Sequence, residues 1–339
     1  MSEKREIKES LIFNPKGDDT IENRTIILNT TGLFNLNSTK YSWAKSLYPV
    51  MINFWVPEKV SLGDDANQFK KELTEGEQRA YKGILSFLIF LDSIQTVNLP
   101  NFNDYITAPE VNLLLSIQAY QEAIHSQSYA TILETVVDSK MRDEIYYFWR
   151  NDKHLLERNE FIIYQEFIDN PTPENLFRII NFLLESIYFY NFAFFDTLAD
   201  QSKMVATDRM INYIRRDELT HVTVFANILK EIKKEFPDIY NEGIIVEMMK
   251  TAVNQEIKWS KHIINNSVVM SDINIENYTK WLANQRMSLL IAPIYKDVIS
   301  NPFKHLDRLQ DQNGDKTNFF ESSVTNYTQS SSVKGSWDF

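Results

Sequence analysis

Glu122, His125 and Tyr129 fall at i, i+3 and i+7 in the stretch LLSIQAYQEAIHSQSYATIL, residues 114–133. On an α-helix that spacing puts a carboxylate, an imidazole and a phenol on one stripe, beside apolar residues such as Leu115 and Ile132. A stripe of this kind faces a core, so three polar groups on it need a reason to point inward. Repetition supplies one. Asp92 sits inside the apolar run FLIFLDSIQTV; Glu122 follows thirty residues later and His125 three after that. Glu185 is the only formal charge in NFLLESIYFYNFAFF; Glu218 follows thirty-three residues later and His221 three after that, in RRDELTHVTVF. A lone carboxylate followed by Glu-x-x-His therefore occurs twice, in one order and with nearly equal gaps.

The chemistry this arrangement suits is metal binding. An ionised carboxylate left alone in an apolar interior is prohibitively costly, so it must neutralise, pair or coordinate a cation. Asp92, Glu122, Glu185 and Glu218 with His125 and His221 offer the oxygen and nitrogen donors that suit iron or manganese. Their four negative charges nearly offset two divalent ions. One Glu-x-x-His alone reads as a surface pair, and a lone Asp as a cap or a bulge toward solvent; duplication in matched order favours the metal. A carboxylate from each of two helices and Glu-x-x-His from each of two others is the pattern of di-iron and di-manganese carboxylate bundles. His154, His262 and His305 have no Glu three residues before them and read as structural or surface residues.

Tyr129 lies one turn beyond His125, about 5–6 Å away between Cβ atoms. A phenol so placed can be oxidised by a high-valent metal pair, and Asp92 could reach its hydroxyl. Phe189 and Phe192 on the Glu185 helix, with Ile214 one turn before Glu218, would shield the product. With 16 tyrosines in the chain, an ordinary core tyrosine is the alternative.

Helices must position these groups. Only 8 Gly and 10 Pro in 339 residues are too few for a fold built on many tight turns, and the expected class is all-α. Thr74 followed by Glu77 fits a capping box opening a helix that ends near Pro100. Further helices are expected over about 108–138, 141–169, 173–200, 203–235, 241–265 and 274–300, punctuated by Pro109, Pro173 and Pro237. INFWVPEKVSL (52–62) reads as a turn or short element. Residues 1–40 read as an irregular arm, 41–305 as the helical domain, and the Ser-, Asn- and Thr-rich 306–339 as a flexible tail suited to docking on a partner.

Net charge is −11, which disfavours a nucleic-acid surface. The absence of Cys excludes disulfides and thiolate ligands. MSEKREIKES shows no secretory signal, and ILSFLIFL (84–91) is far too short a run to span a bilayer. A soluble cytoplasmic protein with no membrane or nucleic-acid partner is expected.

The chain resembles the small, radical-generating subunit of class I ribonucleotide reductase, from about Trp55 to the C-terminus. FWVPEKV is similar to that family's Phe-Trp-x-Pro-Glu motif, and LDSIQ to the segment bearing its first ligand. EAIHSQSY resembles its Glu-x-x-His-x-x-x-Tyr segment, LLESIYFY its lone glutamate and RRDELTH its second Glu-x-x-His. The resemblance implies a ferritin-like bundle with Asp92, Glu122 and His125 on one ion and Glu185, Glu218 and His221 on the other. It implies iron, with manganese as the alternative, and a radical on Tyr129 or on the metal cluster itself. Trp55 and Asp217 match residues that begin radical export with a metal-ligating histidine, and Tyr327 matches the tail tyrosine that relays it. Asp217 also fits on its own account, since a metal-bound His donates its other N–H to a nearby acceptor; spacing does not fix which His. GSWDF would anchor the tail on a large catalytic subunit. The family also implies a homodimer and, in some members, a flavodoxin-like activator.

A dimetal oxidase or hydroxylase on the same bundle, or a ferritin-like metal store, is the competing reading. Trp55, Asp217 and Tyr327 together favour the reductase subunit, because radical export is what requires all three.

Overall fold

Thr74 opens the helix that carries Asp92 by the expected reciprocal cap. The Glu77 backbone N–H donates to Thr74 Oγ1 at 3.2 Å, and the Thr74 N–H donates to Glu77 Oε2 at 2.8 Å. A computed structural model of the chain describes residues 11–157, 190–265 and 270–304. Among these residues the helices are α1 (Ser42–Met51), α2 (Gly63–Lys71), α3 (Glu75–Phe102), α4 (Pro109–Val136) and α5 (Ser139–Tyr146). They continue with α6 (Tyr190–Asp200), α7 (Val205–Glu235), α8 (Glu242–Ile264) and α9 (Asp272–Leu290). Short 3-10 turns lie at Pro57–Lys59 and Phe148–Arg150. The described residues contain no β-strand, only an isolated antiparallel bridge between Ile27 and Ile106. Glu185 and Tyr327 lie outside the described residues.

Every residue from Ile84 to Leu91 is buried, so α3 is apolar on all sides and occupies the centre of the bundle. It packs along α4, and α4 against α7, which sets the Asp92, Glu122 and Glu218 helices side by side. The helix containing ILSFLIFL is in fact long and apolar enough to cross a bilayer, but 72% of its most apolar window is buried by the other helices. Its composition is that of a core helix.

Four segments depart from expectation. The helix expected over 141–169 breaks at Tyr147: Arg150 stacks over the Tyr147 and Trp149 rings, and Asp152 Oδ1 accepts the His154 and Leu155 N–H groups at 3.0 Å. Those bonds begin a new helix instead of continuing the old one. The helix expected to reach 300 stops at Leu290. Pro293 disfavours helical backbone before it, and Asn284 holds the following segment, accepting from the Ile294 and Tyr295 N–H groups and donating to the Tyr295 and Val298 carbonyls. Helices α1 and α2 were not expected; α1 contains Pro49 and α2 begins at Gly63, both weak helix signals.

The non-helical residues 11–40 are tied to the bundle by a buried cation. Arg24, fully buried, donates to Glu110 Oε2 at 2.9 Å and to the carbonyls of Ser38, Asp19 and Asn35. Glu110 also accepts from the Lys40 and Tyr41 N–H groups, and Glu235 accepts from the Ile26 N–H and the Tyr41 hydroxyl. Removing one partner of a buried pair strands the other charge, so Arg24→Ala is expected to destabilise the fold by about 3–5 kcal/mol in a denaturant titration.

Candidate metal centre

Asp92 from α3, Glu122 and His125 from α4, and Glu218 from α7 present one donor atom each within 4.8 Å of one another, all buried. His221 joins them: its Nδ1 lies 3.1 Å from Glu122 Oε1 and 3.0 Å from Glu218 Oε2. His125 Nδ1 lies 3.0 Å from Glu218 Oε1, 3.3 Å from Glu122 Oε2 and 3.8 Å from Asp92 Oδ2. The structure thus gathers five of the six expected ligands. Glu122 and Glu218 each offer one oxygen to each histidine, so they span both ends of the cluster instead of serving one end apiece. The i,i+3 spacing on α4 and α7 produces this, since it turns both side chains of each pair to one face.

The electrostatics are those of anions crowded in a dry interior. Burial, reinforced by the charges of Glu122 and Glu218, raises the Asp92 carboxyl well above its usual range. For Glu122 burial acts upward, but the charge of His221 and hydrogen bonds from His125 and His221 bring it down to about 2. Burial acts downward on His221, and Glu218 and Glu122 outweigh it, pushing the imidazole up to about 9. His125 is raised well above its usual value against the same burial, by Asp217, Glu122 and Glu218. Asp92 Oδ2 is buried without a hydrogen-bond partner. Three carboxylates, two inward-facing imidazole nitrogens and an orphaned carboxylate oxygen fit hard or borderline divalent cations.

Tyr129 is fully buried, and burial with the nearby Asp92 charge holds its phenol protonated well above the usual range. Its hydroxyl is near enough to Asp92 for each to shift the other's acidity, yet it completes no hydrogen bond of regular geometry. Phe192 and Ile214 are buried as expected, Phe192 beneath the Arg215 guanidinium; Phe189 lies outside the described residues.

The outward nitrogens of both histidines are also held. His125 Nε2 is 3.3 Å from Asp217 Oδ2, and the Trp55 indole N–H donates to that same oxygen at 2.7 Å. The Trp55 and His125 rings are stacked, 6.2 Å apart. Arg216, which the sequence reading missed, donates to Asp217 Oδ1 and to the Asn53 carbonyl. Gln121 and Gln118 were missed as well: Gln121 meets His221 Nε2 at 2.8 Å, and Gln118 donates to Glu122 Oε1 at 3.4 Å. A signal was present, because Gln118 and Gln121 precede Glu122, His125 and Tyr129 at helical spacing on the inward side of α4.

A model of the family described as ribonucleotide reductase, small chain, matches residues 33–302. The chain belongs to this family. The Treponema pallidum ribonucleoside-diphosphate reductase subunit beta is 40% identical over 336 residues, 95% of each chain. The Halalkalibacterium halodurans subunit beta is 38% identical, over 94% of this chain and 96% of that one. The ribonucleotide reductase R2 subunit from Clostridium botulinum superposes with a TM-score of 0.85 at 42% identity, covering 90% of this chain and 99% of that one. The small chain is therefore a subunit of an oxidoreductase with a ferritin-like helical fold, and its buried carboxylate–histidine cluster fits that family's dimetal site.

Proposed function

We propose that this small chain holds two metal ions between Asp92, Glu122, His125, Glu185, Glu218 and His221. It stores an oxidising equivalent on Tyr129 and passes it through Asp217 and Trp55 to a large catalytic subunit that reduces ribonucleotides to deoxyribonucleotides. The observation that carries this reading is the unbroken path from His125 through Asp217 to the half-buried Trp55, with contacts of 3.3 and 2.7 Å. A metal store or a hydroxylase has no use for such a path.

Bound iron, with manganese as the alternative, once raised to a high-valent state by an oxygen-derived oxidant, would take up the electron that Tyr129 loses, a role that no side chain in the cluster can fill. The chain's own residues manage protons and water. Tyr129, held neutral by burial, must release its proton as it loses an electron, and the Asp92 carboxylate is the nearby acceptor. Asp217 Oδ2 already accepts the Trp55 N–H, so it can take that proton when the indole is oxidised and return it when the indole is reduced. Full burial of Tyr129 keeps water and reductants from a stored radical.

The small chain works as a homodimer in the cytoplasm, with a flavodoxin-like protein as a candidate activator and neither nucleic acid nor membrane as a partner. Residues 41–305 form the helical domain, 1–40 an arm and 306–339 a docking tail in which Tyr327 continues the relay. Electron paramagnetic resonance with elemental analysis on protein from its native host tests the assignment: two metal ions per chain and an organic radical are expected. Metal-free active protein would refute it. Deleting residues 320–339 is expected to leave metal and radical intact while abolishing turnover with the large subunit; full turnover would remove the tail from its role.

A further inference from the structure

The two metal-facing histidines are braced by one stretch of chain, residues 51–55, through chemically different groups. Behind His125 stands a carboxylate: Asp217 Oδ2 meets His125 Nε2, and Arg216 ties Asp217 Oδ1 to the Asn53 carbonyl at 3.1 Å. Behind His221 stands a neutral amide. Gln121 Oε1 meets His221 Nε2 at 2.8 Å, and Gln121 Nε2 donates to the Met51 carbonyl at 3.0 Å. Met51 ends α1, so its carbonyl is one of the helix-terminal acceptors that lack an intrahelical donor.

That carbonyl fixes the chemistry two contacts away. A carbonyl only accepts, so the Gln121 amide must turn its nitrogen to Met51 and its oxygen to His221. The amide oxygen also only accepts, so His221 must carry a proton on Nε2. Its Nδ1, facing Glu122 and Glu218, is then the nitrogen left for a cation. Gln121 is 3% exposed, leaving little room for water to replace it. A carboxylate behind an imidazole makes it a stronger donor than an amide does.

We propose that Gln121 is the positioning residue for His221. It fixes which nitrogen faces the metal, and its neutrality sets the donor strength of that end independently of the Asp217-backed end. The proposal rests on the dimetal reading given above.

The test is an anaerobic titration of the metal-free full-length chain with Mn(II), following the resonance signal of the free ion. Gln121→Met fills the same space without polar atoms and is expected to weaken one of the two binding steps about 10–100-fold while leaving the other unchanged. Gln121→Glu loses the contact to Met51 but still accepts the Nε2 proton, and is expected to restore that step to at least its original strength. If Gln121→Met does not fold, judged by circular dichroism, Gln121→Asn takes its place with the same expectation, because its amide falls a methylene short. Equal weakening of both steps, or a Glu variant no better than the Met variant, overturns the assignment to Gln121. An unsubstituted chain that binds no Mn(II) overturns the dimetal reading instead.

Discussion

Tyr129→Phe is expected to bind metal as the unsubstituted chain does and to show no tyrosyl radical, with turnover in the reconstituted reductase lost. The ring would remain in its fully buried slot, and the hydroxyl it gives up completes no regular hydrogen bond, so little else in the core depends on it. Without the hydroxyl there is no proton to release, and one-electron oxidation would have to place a bare cation in an apolar interior. That cost is prohibitive. Metal content by elemental analysis and the radical by paramagnetic resonance separate the two roles. An undiminished organic radical in the Phe variant would assign the stored oxidant to another residue. Turnover that persists without any organic radical would assign it to the metal cluster.

The second large effect is expected at Asp217. Its Oδ2 is shared by the Trp55 indole N–H and His125 Nε2, while its Oδ1 holds Arg216. Asp217→Ala removes all of these contacts at once. Metal affinity should fall about 10–100-fold, since a ligand histidine loses the group that orients it. With metal in excess Tyr129 should still be oxidised, yet turnover with the large subunit should fall at least ~100-fold, because transfer depends on the placement of the groups between donor and acceptor. Single-turnover assays against radical content check this. Turnover per radical equal to that of the unsubstituted chain would place the exit path elsewhere.

Tyr129 was legible from spacing, and the reason is periodicity; Asp217 came from the resemblance and from the need of a metal-bound histidine for an acceptor, and spacing did not say which histidine it serves. Two Glu-x-x-His pairs and isolated carboxylates in apolar runs stand out in one dimension because a helix converts i,i+3 into a shared face. The capping box at Thr74 and Glu77 was legible for the same local reason. Segment ends were less so: the break at Tyr147 and the stop at Leu290 depend on Asp152 and Asn284 capturing backbone groups further along the chain. A local pattern also cannot show that Arg24 pairs with Glu110, 86 residues away.

The amino-acid sequence by itself determined the helical class, through its few Gly and Pro, and also the inward stripes of α3, α4 and α7 with the donor types that favour a hard cation, because those follow from residue types and spacing along single helices. Only the tertiary structure decided which carboxylate meets which imidazole. It made Glu122 and Glu218 span both histidines, gave Asp217 to His125, and gave Gln121 to His221. Those choices depend on how one helix is rotated and set against the next, and that is fixed by packing of the whole core.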